Sequence, residues 1–157
     1  MFQLQVITPP SSFQIQETRM NEIAQAVSEV VPDTQKGIVH IAFLPDDEVQ
    51  TLNREHRGID SNTDVLSFHY YEDFEEIAET DIAGELIFSE SKVTAQAEKY
   101  GHSREDEFAI LLIHSLLHII GFDHEDDEDF EDMWTYESFL REKFWLSTSR
   151  EFDETYE

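Results

Sequence analysis

Apolar residues recur at two different spacings along the chain, and these spacings predict strands mixed with helices. The alternation of Phe2, Leu4 and Val6 with glutamines predicts an opening strand, which Pro9 and Pro10 end. Short β-rich runs predict three more strands, at residues 38–44, 64–70 and 83–88. Apolar spacings of three and four residues predict five helices, at residues 20–30, 45–54, 91–100, 104–120 and 130–144. Because no repeat or linker separates these elements, we expect one domain over residues 1–157. Its mixture of strands and helices predicts an α/β or α+β sandwich around one small sheet.

The fourth predicted helix contains the longest apolar run of the chain, at residues 108–120. Two histidines and a serine interrupt this run, and it is well short of the roughly 18 residues that span a bilayer. We therefore expect a buried core helix, which Gly121 ends in a left-handed conformation. The N-terminus lacks the basic start and apolar run of a signal peptide, so the expected location is the cytoplasm.

Composition narrows the chemistry that the chain can perform. Cysteine is absent, which excludes thiolate nucleophiles, thiolate metal sites and disulfides. The 36 Asp and Glu residues against 10 Lys and Arg residues give a formal net charge of −26. A hydrophobic content of 39% is nonetheless too high for a disordered acidic chain. The sequence therefore indicates a folded acidic domain whose chemistry depends on His, carboxylates, hydroxyls or Arg.

Three histidines form the pattern His-x-x-x-His-x-x-Gly-x-x-His at His114, His118 and His124. Residues four apart on a helix differ by about 40° in direction, so His114 and His118 can face one ion. A turn at Gly121 brings His124 back beside them. Three such ligands, with a fourth position left for water, are typical of catalytic zinc, although nickel, cobalt and copper accept the same ligands.

An isolated histidine on an apolar helix is more often a core residue with a hydrogen-bond partner than a metal ligand. Here two histidines lie in a helix that is apolar on nearly all sides. Each buried imidazole needs its own hydrogen-bond partner, or its burial has a desolvation cost of roughly 1–3 kcal/mol. One metal ion satisfies both, so the pattern favours a metal site. Asp123 is either a partner that orients a ligand imidazole or one more acid of the run at residues 123–132. The remaining histidines lack ligand spacing and are interpreted as surface or strand-edge residues, with His56 and His69 as candidates for a place near the site.

The same histidine spacing occurs in the metzincin peptidases, which carry a Glu directly after the first His as general base. In this chain that position is Ser115, so the peptidase base is missing. Met133 lies in an amphipathic helical pattern and is more simply a core residue than the residue of a Met-turn. The residue types therefore indicate metal-assisted hydrolysis and leave open which bond is broken.

Further motifs narrow this choice. Arg-Gly-x-Asp begins at Arg57, Thr-Asp-Val-Leu-Ser-Phe follows at residues 63–68, and Gly-Glu-Leu-Ile-Phe-Ser occupies residues 84–89. Together with the histidine pattern, and in the same order, they closely resemble the YbeY family of bacterial metal-dependent endoribonucleases. The resemblance covers about residues 38–140. It implies a small, mostly parallel, four-stranded sheet packed with five or six helices, with the metal at a cleft.

The resemblance also implies the composition of the site. It implies that His114, His118 and His124 bind one zinc ion per chain, and that Arg57 and His114 are catalytic, with Arg57 engaging the RNA. A guanidinium suits this role because its planar fork matches phosphate oxygens. Taken alone, Arg57 is more simply a solvated cation at a helix end. Ser115 stands where the family usually has Gly, and we expect a packing residue whose hydroxyl bonds back to a helix carbonyl, not a nucleophile.

The function implied by the resemblance is zinc-dependent, single-strand-specific endoribonuclease activity in ribosomal RNA processing, including 16S 3′-end maturation, and in ribosome quality control. The expected partners are ribosomal RNA, ribosomal particles and ribosomal proteins, with neither membrane nor DNA. Two alternatives stay open: a metallopeptidase of metzincin type, which Ser115 disfavours, and a metal-stabilised ribosome-binding factor without hydrolytic activity. The sequence does not identify the general base.

The net charge argues against tight binding to free RNA, because Lys and Arg contacts with phosphates supply most non-specific affinity. Seven of the eight Lys and Arg residues after residue 50 fall in three groups, from which we expect a small positive rim beside the metal: Arg54 with Arg57, Lys92 and Lys99 with Arg104, and Arg141 with Lys143. Docking of the acidic surface on basic ribosomal proteins then supplies the targeting. A halophilic or solubilising surface explains the acids equally well.

Overall fold

The computed structural model describes residues 1–30, 35–70, 77–120 and 127–146, and for residues 127–131 it describes the backbone alone. Within these ranges the chain forms four strands and five helices. In chain order they are β1 (Gln3–Thr8), α1 (Glu17–Val30), β2 (Ile38–Leu44), α2 (Asp46–Arg57), β3 (Val65–His69), β4 (Ile82–Ser89), α3 (Glu90–Tyr100), α4 (Arg104–Ile120) and α5 (Asp127–Lys143). The predicted elements are thus confirmed. The helix α1 begins three residues before the prediction, because its polar first turn carries no apolar signal.

The four strands form one mixed sheet in the order β1-β2-β4-β3. The pairs β1–β2 and β2–β4 are parallel, whereas β3 runs antiparallel to β4 and forms one edge of the sheet. The expectation of a small, mostly parallel, four-stranded α/β fold is therefore confirmed.

The two faces of the sheet are covered unequally. Alternate residues of β4, Leu86 and Phe88, point into the main core, which α1, α3, α4 and α5 close. On the other face, Ile87 and Leu66 are buried against Val49 of α2. Among the described elements, α2 is the only helix on this second face, so part of the face stays open to solvent beside it.

The helix α4 crosses the main core and brings its two histidines to one end of the sheet. Near its start, the ring of Phe108 lies 5.1 Å from the ring of Phe88. Near its end it packs on Gly84 of β4, where an added Cβ would lie 2.5 Å from the carbonyl oxygen of Phe68 and 3.1 Å from Cδ1 of Ile119. Glycine therefore allows α4 and β3 to approach β4 together. Neither α4 nor any other helix in the described ranges is long and apolar enough to cross a membrane.

At the opposite end of the sheet, Asp46 connects two helices. It begins α2, and its carboxylate accepts hydrogen bonds from the hydroxyls of Ser91, at 2.7 Å, and Ser89, at 2.8 Å, at the N-terminus of α3. The hydrogen bond from Ser91, followed by that from Ser89, lowers the pKa of Asp46. A negative charge thus lies between two helix N-termini, where the helix dipoles stabilise it.

Candidate metal centre

Two of the predicted metal ligands lie on consecutive turns of α4. His114 is fully buried, and His118 is partly exposed. Their Nε2 atoms are 3.0 Å apart, and their ring planes meet at 75°. The four-residue spacing therefore places both imidazoles side by side, as the sequence predicts.

The second ring nitrogen of His114 is held by a carboxylate from another helix. His114 Nδ1 hydrogen-bonds to Oε1 of Glu137, which lies on α5 and is 2% exposed. An ionised carboxylate can only accept, so with Glu137 ionised His114 Nδ1 is the donor of this hydrogen bond. In this tautomer the lone pair of His114 Nε2 is free to bind a metal ion, and it faces His118.

Arg141, one helical turn beyond Glu137, completes this buried chain of contacts. Its Nη2 donates to Oε2 of Glu137 at 3.0 Å, and the whole side chain is inaccessible to solvent. The expectation that Arg141 adds to an exposed positive rim is therefore wrong. A carboxylate in the core requires a compensating charge nearby, and Arg141 supplies it.

Glu137 and Arg141 are functional candidates that the sequence analysis did not identify. Both lie on the face of α5 that buries Met133 and Leu140. The available signal is their position: two opposite charges four residues apart occupy the apolar face of an amphipathic helix. Charges on such a face need buried partners, so this placement indicates a polar contact inside the core.

The described side chains fit a zinc ion. With Zn–N distances of about 2.0–2.1 Å and tetrahedral angles, two ligating nitrogens lie about 3.3 Å apart, close to the 3.0 Å between the two Nε2 atoms. Within the described part of the chain, no group of three His, Asp or Glu side chains could hold a metal ion. The third predicted ligand, His124, lies outside the described residues, as do Gly121 and Asp123. The assignment of all three histidines to zinc thus stays a prediction.

Ser115, next to the first histidine, is fully buried in the interior. Its Oγ has no hydrogen-bond partner among the described residues, so the expected bond back to a helix carbonyl does not form. A hydroxyl without a neighbouring base is not activated as a nucleophile. Ser115 is therefore a packing residue.

Replacing this serine by alanine tests that role. We expect Ser115→Ala to raise the free energy of unfolding by up to about 1 kcal/mol, because a buried hydroxyl without a partner is removed. Zinc content and RNA cleavage stay at the parent level. Urea unfolding measures the free energy of unfolding, metal analysis the zinc content, and a cleavage assay the RNA cleavage. A drop in cleavage of more than about a hundredfold, equivalent to ~2.7 kcal/mol of barrier, would instead show that the hydroxyl takes part in catalysis.

Arg57 is the last residue of α2, and its side chain is partly exposed. Gly58 follows it with φ 72°, and this left-handed residue ends the helix. The neighbouring ring of His56 lies 5.1 Å from the ring of Phe68 on β3. Since α4 reaches the same end of the sheet at Gly84, the last turn of α2 and the histidine pair flank that end from opposite faces.

An open cleft of about 370 Å³ separates α2 from β3 and β4 at this end. Tyr70, the residue after β3, lines the cleft together with Glu85 of β4; burial, and then the charge of Glu85, raise the pKa of Tyr70. Of the histidines interpreted as surface residues, His56 and His69 line the cleft. The complete lining is Leu52, His56, Ser67, Phe68, His69, Tyr70, Glu85 and Ile87.

Comparisons with known proteins add independent findings. A family model described as "Endoribonuclease YbeY" matches residues 7–144. Proteins of the same name from Shouchella clausii and Caldanaerobacter subterraneus are 37% and 41% identical; the alignments cover 88% and 75% of this chain and 91% and 78% of theirs. The solution structure of a Thermotoga maritima protein has a TM-score of 0.57 and 23% identity, covering 91% of this chain and 92% of that one. This last likeness concerns the fold alone.

Proposed function

Since the chain belongs to the YbeY endoribonuclease family, we propose that it is a zinc-dependent endoribonuclease that cleaves single-stranded RNA in ribosomal RNA processing, including 16S 3′-end maturation and ribosome quality control. One observation carries the zinc dependence: the two imidazole Nε2 atoms of α4 lie 3.0 Å apart. The buried Glu137 carboxylate supports it by holding one imidazole in the tautomer that can ligate a metal.

In this proposal His114, His118 and His124 hold the zinc ion. When bound, zinc supplies a Lewis acid that polarises a phosphate oxygen or lowers the pKa of water. Glu137 keeps a proton on His114 Nδ1 and fixes the direction of the ring, while Arg141 fixes the direction of Glu137. Full burial of His114 keeps bulk water away from one side of the site.

Arg57 binds the phosphate in this proposal. Its guanidinium offers two parallel N–H donors to phosphate oxygens. It lies in the basic last turn of α2, whose other cation, Arg54, is 3.6 Å from the carboxylate of Asp60. Arg57 is assigned to the phosphate because it is the arginine of the Arg-Gly-x-Asp motif and is partly exposed at the end of α2.

The acidity of the chain decides how the substrate is found. A net charge of −26 repels free RNA at long range, so one arginine can orient a phosphate but cannot recruit a long strand. We therefore assign recruitment to the ribosomal particle, with basic ribosomal proteins as partners of the acidic surface and the cytoplasm as location.

Arg57→Lys tests the proposed function, since lysine keeps the charge and removes the planar fork. We expect cleavage of ribosomal RNA to fall at least about tenfold, equivalent to ~1.4 kcal/mol of barrier, with zinc content and thermal stability unchanged. A cleavage assay, metal analysis and thermal unfolding measure these three quantities.

Arg54→Lys, in the same helical turn, is the matched control and cleaves like the parent. Parent-level cleavage by Arg57→Lys would refute the role of Arg57. Turnover of generic peptides by the parent would indicate the peptidase instead, and ribosome binding without any cleavage would indicate the non-catalytic factor.

A further inference from the structure

The cleft between α2 and β3 is not used by the proposed metal site, yet both lie at the same end of the sheet. Its volume of about 370 Å³ falls within the roughly 300–1,000 Å³ typical of sites for small ligands. Among the eight described residues that line it, Glu85 is the only acid. The described part of the lining therefore presents one carboxylate to a ligand, beside aromatic and apolar side chains.

Flat rings form much of the cleft wall. His56 and Phe68 meet at 70° with centroids 5.1 Å apart, and Tyr70 is 53% exposed. Leu52 and Ile87 add an apolar floor. Bases of single-stranded RNA bind proteins by stacking on such side chains, because every base has a π-face.

Glu85 supplies the polar contact that gives a cleft of this kind selectivity. It is partly buried on β4, in register with His40 of β2 and Phe68 of β3. An ionised carboxylate has about four acceptor positions, which can receive hydrogen bonds from N–H donors of a ligand.

We propose that this cleft binds one base of the RNA substrate and prefers guanine, with Glu85 accepting hydrogen bonds from guanine N1–H and N2–H. The proposal rests on the proposed function in one respect, that the substrate is RNA. Guanine is the base whose Watson–Crick edge presents two parallel N–H donors, the arrangement that a carboxylate accepts in bidentate form. Adenine and cytosine place an acceptor nitrogen beside their amino group, and uracil flanks its N–H with two carbonyls.

The position of the cleft connects base and phosphate. His56 lines the cleft, and Arg57 follows it directly in the same helical turn. In this proposal, a nucleotide whose base stacks beside His56 directs its phosphate toward the end of the sheet that α4 also reaches. The bound base determines which phosphodiester is presented for cleavage.

Titration of the full chain with the four 5′-mononucleotides, followed by calorimetry or NMR, tests the proposal. All four ligands share the same phosphate, so differences between them report the base. We expect GMP to bind at least about tenfold more tightly than AMP, CMP or UMP. Glu85→Gln removes most of this preference and leaves the other three within about twofold, whereas Tyr70→Ala weakens all four. Glu98→Gln, an exposed acid on α3, is the control for the change in charge.

Equal affinities for the four nucleotides, or tight GMP binding by Glu85→Gln, would overturn the proposal. Binding of a Lys- and Arg-rich peptide that Glu85→Gln abolishes, without nucleotide binding, would also overturn it and would assign the cleft to a protein partner. Mononucleotide binding requires neither zinc nor cleavage. The two proposals can therefore fail separately. Absent RNA cleavage with intact GMP selectivity would refute the nuclease, and RNA cleavage without GMP selectivity would refute the guanine site.

Discussion

If the proposed zinc site is correct, His118→Ala is expected to remove the zinc and to reduce RNA cleavage by more than about a thousandfold, because one of the three proposed protein ligands is lost. The side chain is partly exposed at the end of α4, so its truncation leaves no large cavity and the fold persists. Elemental analysis of protein purified without a histidine tag gives the zinc content, and circular dichroism verifies the fold.

His40→Ala is the matched control for this variant. His40 is also partly exposed, but it lies on β2. We expect the His40→Ala protein to keep one zinc ion per chain. Full zinc stoichiometry in His118→Ala would show that the ligands are assigned wrongly. Loss of zinc in both variants would place the metal elsewhere.

Glu137→Ala is expected to destabilise the protein by about 3–5 kcal/mol, since it removes one partner of the buried ion pair between Glu137 and Arg141. This is a large part of the 5–15 kcal/mol by which domains are usually stable. Urea unfolding of the metal-free protein measures the loss without any contribution from zinc.

A double variant separates the structural role of Glu137 from its effect on the histidine. Glu137→Leu combined with Arg141→Met removes both charges and fills the space with apolar groups, which is often neutral for stability. We expect it to recover most of the unfolding free energy, while zinc affinity stays about 10–100-fold below that of the parent. Parent-like zinc affinity in this variant would limit Glu137 to a structural role.

The fold was predictable because its signals are local. Residues 108–120 read as a buried helix from their apolar content alone, and α4 is buried along nearly its whole length. The spacing of His114 and His118 likewise determines that the two rings are neighbours, since both belong to one helix. Helix and strand positions therefore follow from periodicity with little knowledge of tertiary structure.

The contacts around the histidines were not predictable, because they depend on packing between distant elements. Glu137 is 23 residues from His114, and the two meet only because α5 packs on α4. Asp123, next to the third histidine, was the natural candidate for an orienting acid on proximity in sequence. The cleft beside Glu85 was not predictable for the same reason. It forms only because β4 lies between β2 and β3 and because α2 packs on the second face of the sheet.

The Asp46 carboxylate has a consequence for where ligands can enter. In open α/β sheets, phosphates commonly bind where neighbouring parallel strands send their helices to opposite faces, at the helix N-termini. Here β2 leads to α2 on one face and β4 leads to α3 on the other, and Asp46 already occupies the position between them as an internal anion. An arriving phosphate would meet like charge and compete with a tethered occupant. The usual phosphate position of such sheets is thus disfavoured for an anionic ligand by a carboxylate of this chain, whereas the cleft and the histidine pair lie at the other end of the sheet.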